Sequence, residues 1–448
     1  MRRARVAVVT LLTVTVVGTA VVLHEGFSAS AWVRALAISG AIAALAAIVA
    51  VPSLRVALTM PMVVVASLGL LAVAVVLPPA ESRDLFSYAM DGRILQHYGV
   101  SPYTHAPAEF PHDPLLAQVG SGWRHTRSVY GPAFTAMSAG VAWIAGPDVL
   151  ANRLGFQLLA ALSVLAILVL LYRTTRDPVV VALVGCNPVV MLEVVNVGRN
   201  DALVGFALLA GVVLAGRRRL VAAAVLLAVA ASVKLVAIAA LGFVLIWAWR
   251  HHGARLAARA GAAGALVVVV PYVLAGGTRA LTPLADASDR LSRASIGQFG
   301  RGGAVEHLLG IAEGEPAHAV VGRIGPAAIV VVIGLALLFA CSRLADPTPE
   351  LVAVGAIAAF LFAGSYVLAS YAMWVLPIAA WRHRAGVSRA VLVWSALLTI
   401  AYQAVRPLPS TPLDLAVWLT SAFTLLFALT AILLLTVAAV RRMRPLAG

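Results

Sequence analysis

The chain has 448 residues, 62% of them apolar and only 11% charged, with a mean hydropathy of +0.98. A soluble domain carries about 25% charged residues, which excludes a water-solvated fold for any substantial part of the chain. A formal charge of +15 would suggest nucleic acid in a soluble protein, but here the arginines stand mainly in short loops between apolar runs, a topology signal that argues against a nucleic-acid partner.

The first apolar run follows Arg2, Arg3 and Arg5 and ends near Leu23. Val21-Val22-Leu23 offers no small-residue cleavage site, so the run is expected to be an uncleaved first helix. A bilayer core about 30 Å thick needs about 20 helical residues per crossing. Crossings are predicted at 6–23, 32–51 and 57–78, with Arg2, Arg3, Arg5 and Arg55 cytoplasmic. The long loop 79–131 then faces outward. If both 131–146 and 151–172 crossed, Arg173, Arg176 and every later basic loop would be inverted. The stretch 131–146 is therefore expected to be re-entrant or to lie on the surface, beside a cavity that covers its backbone. That choice leaves Arg217-Arg218-Arg219, Arg250 to Arg259, Arg343, Arg382 to Arg389, Arg441 to Arg444 and both termini cytoplasmic. The count is about 12–14 helices, with 220–231 and 371–381 short enough to be half-helices.

Three further stretches are expected to face out: 193–201, 232–234 and 276–317. In the first outer loop Asp84, Tyr88 and Asp91 fall at i, i+4 and i+7 on one helix face, although a self-solvating loop would also be polar. Arg93, Pro102-Tyr103 and Tyr130-Gly131-Pro132 follow, and their prolines and glycines imply ordered turns. His97, His105, His112 and His125 lack zinc-ligand spacing, and the two cysteines, Cys186 and Cys341, suggest neither a disulfide nor a metal site.

Glu193, Asn196, Arg199, Asn200 and Asp201 form a polar cluster between apolar runs, more than snorkelling requires, and read as a cavity lining. Lys234 is the single lysine of the chain. It is either an interfacial helix end or a point charge for a phosphate. Arg301 stands among glycines in Ile296 to Gly303, which suits a phosphate or a solvated loop equally. Tyr366, Tyr371 and Trp374, ahead of Pro377, read as interface anchors, the alternative being a sugar-stacking wall.

An outward acidic helix with cations at the same face fits a lipid-linked phosphate donor. A departing phosphate is a weak base that needs cations more than a proton donor, so one carboxylate suffices to deprotonate an acceptor hydroxyl.

In their order along the chain, Arg83-Asp84-Leu-Phe-Ser-Tyr88, Gly92-Arg93, Pro102-Tyr103, Tyr130-Gly131-Pro132, Asn187-Pro188, Gly198-Arg199-Asn200-Asp201, Lys234 and Tyr371 to Pro377 resemble the GT-C integral-membrane glycosyltransferases. The resemblance is to actinobacterial polyprenol-phosphate-mannose-dependent enzymes similar to the α-1,6-mannosyltransferases of lipoglycan assembly. It implies an all-α, polytopic transmembrane helical bundle with a structured extracytoplasmic first large loop. Residues 1–448 would form a single membrane domain. Within it, 1–56 would be an N-terminal hairpin, 57–275 the catalytic core, 276–317 a second outer loop and 318–448 C-terminal helices.

The activity implied is inverting transfer of mannose from polyprenyl-phosphate mannose to a hydroxyl of a cell-envelope glycolipid or a peptide natural product. It would take place on the outer face of the cell membrane. Asp84 would be the base, with Asp91 in reserve. Tyr88, Arg93, Tyr103, Tyr130, Arg199, Asn200, Asp201, Lys234 and Arg301 would bind substrate. No cofactor is expected, and a divalent metal stays open. Two other readings stand beside this one: a transporter or flippase for a lipid-linked sugar, and a ligase-type transferase using lipid-diphosphate glycans.

Overall fold

The computed structural model describes residues 2–25, 31–80, 82–287, 348–363 and 367–404. The expectations for Arg301 and its glycine-flanked stretch, for Tyr366, for Cys341 and for the basic clusters at Arg343 and Arg441 to Arg444 fall outside these residues. The described residues are helical, without strands.

Helices α1 (Arg2–Glu25) and α2 (Ala31–Ala50) pack as an antiparallel pair. A short α3 (Pro52–Ala57) leads to α4 (Met60–Val76), which ends where Leu77 turns extended ahead of Pro78 and Pro79. The first outer loop opens with α5 (Asp84–Gln96). It continues through three 3₁₀ turns to α6 (Pro132–Ala145). α6 has 14 residues, about 21 Å of helix and too short to span a bilayer core, and it lies against α5. Gly92 makes that crossing close, since a Cβ there would sit 2.2 Å from the Ser138 carbonyl oxygen.

Next come α7 (Val149–Thr175), α8 (Pro178–Gly185) and α9 (Pro188–Val190), each started by a side-chain cap. Asp148, Asp177 and Asn187 accept from the backbone N–H of Ala151, Val179 and Val189, filling donors that a helix start leaves open. Asn187 also donates from Nδ2 to Leu183 O, so one residue closes α8 and opens α9 across a 44° bend. A π-helical turn, Met191–Val195, follows. The core is completed by α10 (Asp201–Gly216), α11 (Leu220–Val233), α12 (Ile238–His252) and α13 (Ala254–Leu274), before a short α14 (Thr282–Ala287). Helices Pro349–Ala363 and Gly386–Ala404 flank a 3₁₀ turn, Ala369–Trp374, and a six-residue helix, Leu376–Trp381.

Among the described residues five segments are long and apolar enough to cross a membrane: Arg2–Glu25, Val33–Ala50, Val149–Thr175, Leu235–His252 and Ala254–Leu274. The bent pair Pro178–Gly185 and Pro188–Val195 makes a sixth if it is one broken span. Leu36, Val65, Leu162, Val273 and Leu274 stay exposed on their outer sides, where lipid would cover them. Four hydroxyls in α1 and α7 return to their own helix. Thr10, Thr13, Ser163 and Thr174 each donate to the carbonyl four residues back, which leaves no hydroxyl proton facing hydrocarbon. The described residues are thus those of a multi-span, helical membrane protein.

Replacing Gly92 with alanine is expected to force α5 and α6 apart at a cost of about 1–3 kcal/mol, seen as a lower melting temperature of the detergent-solubilised protein.

Candidate active site

Asp84 is the first residue of α5, and its backbone N–H donates to Ser82 Oγ at 3.1 Å. A carboxylate in a first helical turn is favoured by the helix dipole. The chain entering α5 is fixed from below. Asn196, completely buried, accepts from Ala80 N at 2.7 Å and donates to the carbonyls of Ala74, Leu77 and Pro78 at 3.1–3.2 Å. Gln157 of α7 donates from Nε2 to Leu77 O at 3.0 Å and to Asn196 O at 2.6 Å. These two amides tie off carbonyls freed where α4 stops, a need created by Pro78 and Pro79.

Arg199, in the turn before α10, donates from Nε to Asp84 Oδ2 at 3.1 Å and from Nη1 to Glu193 Oε2 at 3.0 Å. Asp84 is the most open of the three, its side chain 17% exposed against 8% for Arg199 and 4% for Glu193. A second ion pair lies close by. Lys234, capping the end of α11, donates to Asp201 Oδ1 at 2.7 Å, and the Trp374 indole donates to the same oxygen at 2.6 Å. The Lys234 ammonium lies 4.4 Å from the Tyr371 ring centroid, 5.0 Å from that of Trp374 and 6.0 Å from that of Tyr130. Tyr371 and Trp374 are stacked at 4.2 Å.

Tyr88 lies one turn after Asp84 on α5 and packs on Tyr130, whose ring faces Lys234. Its ring meets Tyr130 edge-on at 4.9 Å and Phe134 at 5.0 Å. Gly131 allows this junction, because its N–H donates to Val233 O at 3.0 Å and a Cβ there would stand 2.1 Å from Ser232 O. The outer loop is thereby hydrogen-bonded directly to the turn that carries Lys234.

The remaining predicted residues hold the loop together. Arg93 donates from Nε to Asp113 Oδ2 at 2.7 Å, with both side chains buried, and Tyr98 OH donates to the same oxygen at 3.0 Å. Tyr103 OH donates to Tyr130 O at 3.0 Å and bonds Thr135 Oγ1 at 2.8 Å. Asp91, two turns beyond Asp84, is buried near Tyr103 and Ser128 rather than beside Arg199. Burial raises its carboxyl to about 7, a shift that the nearby Ser128 hydroxyl reduces. Burial also pushes up the Tyr103 phenol. Asn200 is buried with no hydrogen-bond partner for its side-chain amide among the described residues, and the same holds for Asp201 Oδ2. Arg301 cannot be placed, since it lies outside the described residues. No group of three or more His, Cys, Asp and Glu side chains among those residues is disposed to hold a metal ion.

One expectation is corrected. Trp374 is not an interface anchor, because it is 2% exposed and its indole N–H is spent on Asp201. Anchors keep one edge at the water boundary, whereas this ring walls the lysine. Gln157 was overlooked by sequence reasoning, although an amide inside the apolar run of α7 was the available signal.

Residues 4–251 match the family model described as "Alpha-(1->6)-mannopyranosyltransferase, N-terminal domain". The chain belongs to this family. The matched region includes every described site residue above except Tyr371 and Trp374. Over 179 residues the chain is 31% identical to Alpha-(1->6)-mannopyranosyltransferase A of Corynebacterium glutamicum, covering 39% of this chain and 36% of that protein. Over 180 residues it is 33% identical to the protein of the same name from Mycobacterium tuberculosis, covering 39% and 34%. The matches thus span about a third of the length of each relative. No solved structure matches the chain.

Two outcomes are expected. Folding favours the neutral Asp91 carboxyl, so its stability is fully present below 3.8 and declines as pH rises to about 7. Asp91→Asn should therefore melt higher than wild type at pH 8 and close to it at pH 4, as read by melting curves in detergent. Asp113→Ala strands a buried guanidinium and should cost about 3–5 kcal/mol, measured in the same way.

Proposed function

We propose that this protein transfers a mannosyl residue from polyprenyl-phosphate mannose to an acceptor hydroxyl on the outer face of the membrane, with inversion at the anomeric carbon. The observation that carries this reading is Asp84, the one partly open carboxylate of a buried charge network, set close to a lysine walled by aromatic rings. Membership of the mannopyranosyltransferase family supplies the chemistry that such a network would serve.

In the proposed step Asp84 takes the proton of the acceptor hydroxyl, whose oxygen bonds to the mannosyl anomeric carbon. The bond from that carbon to the phosphate oxygen breaks, and its electron pair leaves with the lipid phosphate. A β-linked donor thus gives an α-mannoside. Lys234 has three N–H donors, one of them on Asp201, and the others are assigned to the departing phosphate. Arg199 already serves two carboxylates, so it is assigned to the base rather than to the phosphate. Asp84, Glu193 and Asp201 against Arg199 and Lys234 leave the cluster with one excess negative charge. The phosphate is therefore held by specific donors, not by a general positive field. Tyr371 and Tyr130, half-buried beside Lys234, are suited to stack on the sugar.

The outward orientation rests on the arginines. Arg217, Arg218 and Arg219 stand at the far end of α10 from Asp201 and at the far end of α11 from Lys234, about 20 Å of helix away. Arg250 is likewise at the far end of α12. Placing these ends in the cytoplasm turns the site outward, away from cytosolic sugar nucleotides. The acceptor is taken to be a cell-envelope glycolipid or a peptide natural product. The break between α8 and α9 is a feature that transporters also use, but here it delivers Glu193 and Arg199 to Asp84.

The test is transfer of radiolabelled mannose from polyprenyl-phosphate mannose to membrane glycolipid and peptide acceptors in purified membranes. Asp84→Asn is expected to lower turnover by about 10²-fold or more, and near-wild-type turnover overturns the base. Lys234→Ala is expected to raise the donor KM at least severalfold, and an unchanged KM removes Lys234 from the donor site. Movement of the lipid-linked sugar across proteoliposomes without product would favour the transporter instead.

A further inference from the structure

Glu193 takes no part in the transfer just described, yet its charge is buried in the network that holds the base. It lies in the middle of the π-helical turn Met191–Val195. Such turns insert an extra residue and re-aim side chains, and they concentrate at functional sites. Both its carboxylate and its backbone carbonyl accept from Arg199 Nη1, at 3.0 and 3.2 Å. The turn is closed by the Arg199 N–H, which donates to Val194 O at 2.9 Å. Arg199 is therefore fixed at three points of one turn, and its Nε is left aimed at Asp84.

The charges explain why a second carboxylate belongs here. Arg199 and Asp84 alone would form a neutral pair, and a carboxylate fully compensated by a guanidinium is a poor proton acceptor. Glu193 neutralises Arg199 from the closed side and leaves the negative charge of Asp84 uncompensated on the open side. The guanidinium is planar, with its N–H groups in fixed directions. Holding its Nη1 edge on Glu193 thus also sets which Asp84 oxygen is occupied, Oδ2, and which is left for a hydroxyl, Oδ1.

We infer that Glu193 is a positioning residue for the transfer: through Arg199 it orients Asp84 and preserves its basicity. This rests on the reading of Asp84 as the base. The role requires Glu193 to act only through Asp84, which a double-mutant cycle reads directly.

The experiment uses the full chain in membranes, radiolabelled polyprenyl-phosphate mannose, and an alkyl α-mannoside with a free 6-hydroxyl beside the membrane glycolipid fraction. Glu193→Gln keeps the shape and removes the charge. It is expected to lower kcat at least about 10-fold, a fraction of the roughly 10²–10⁴-fold that a positioned base contributes, with the donor KM unchanged within about twofold. In the Asp84→Asn background the same substitution should cost nothing more. A kcat within about twofold of wild type, or the same fold-loss in both backgrounds, overturns the inference. Should Glu193→Gln melt out, Arg199→Lys is the second test. A lysine cannot bridge two carboxylates in fixed directions, so retained kcat in that variant also overturns it. Full activity of Asp84→Asn would instead remove the base, and with it both readings.

Discussion

A guanidinium held between two carboxylates, with little water around it, is the interaction on which the site depends. Burying a single charge is costly, and an ion pair repays that cost only with good geometry and further hydrogen bonds. Arg199 meets the condition by reaching Asp84 on one side and Glu193 on the other, with a backbone carbonyl in addition. Two separate pieces of chain must then arrive together: the start of α5, and the π-turn that runs on into the turn before α10. The capped break at Asn187, the extended exit of α4 and the Asn196 knot all serve that meeting.

The Lys234 pair follows a different rule. Lysine is a compact charge on a flexible stem and holds no fixed geometry by itself. Its position is imposed from outside, by a carboxylate that is itself held by an indole and by aromatic rings facing the ammonium. Cation–aromatic attraction and the hydrogen bond to Asp201 act on the same atom, so the ammonium is confined with one N–H group committed to a carboxylate. Confinement without saturation distinguishes this cation from Arg199, whose contacts serve to fix a neighbour.

The membrane class and the helical architecture could be read from the long apolar runs, and the clustering of Asp84, Arg199, Asp201 and Lys234 from the charges that interrupt them. Ionisable residues are so costly in apolar runs that their presence marks a site. Who partners whom could not be read. Asp84 and Asp91 share a helix face by spacing, yet the former meets Arg199 and the latter turns to Ser128 and Tyr103, because α6 closes over the far end of α5 through Gly92. Trp374 looked like an interface aromatic, since nothing local reveals that a carboxylate more than 170 positions earlier will take its N–H. Gln157 and Asn196 work on backbone carbonyls, and although the sequence marks Asn196 as one polar group of the 193–201 cluster, a neutral amide does not say which carbonyls it will serve.

The Asn196 and Gln157 knot ties Asp84 to the scaffold rather than to the loop that follows it. Ala80 is bonded to Asn196, four residues before Asp84, while the rest of the outer loop hangs from the other end of α5, pinned by Arg93 on Asp113. A chain built this way separates two tasks that share one segment. A change within residues 97–129 that keeps Asp113 and Tyr103 leaves the Asn196 anchor of this carboxylate untouched, because that anchor is made with residues 74–80 and not with the loop. The start of α5 thus behaves as a tool held in a fixed chuck, gripped from the membrane side and not by the loop beyond it.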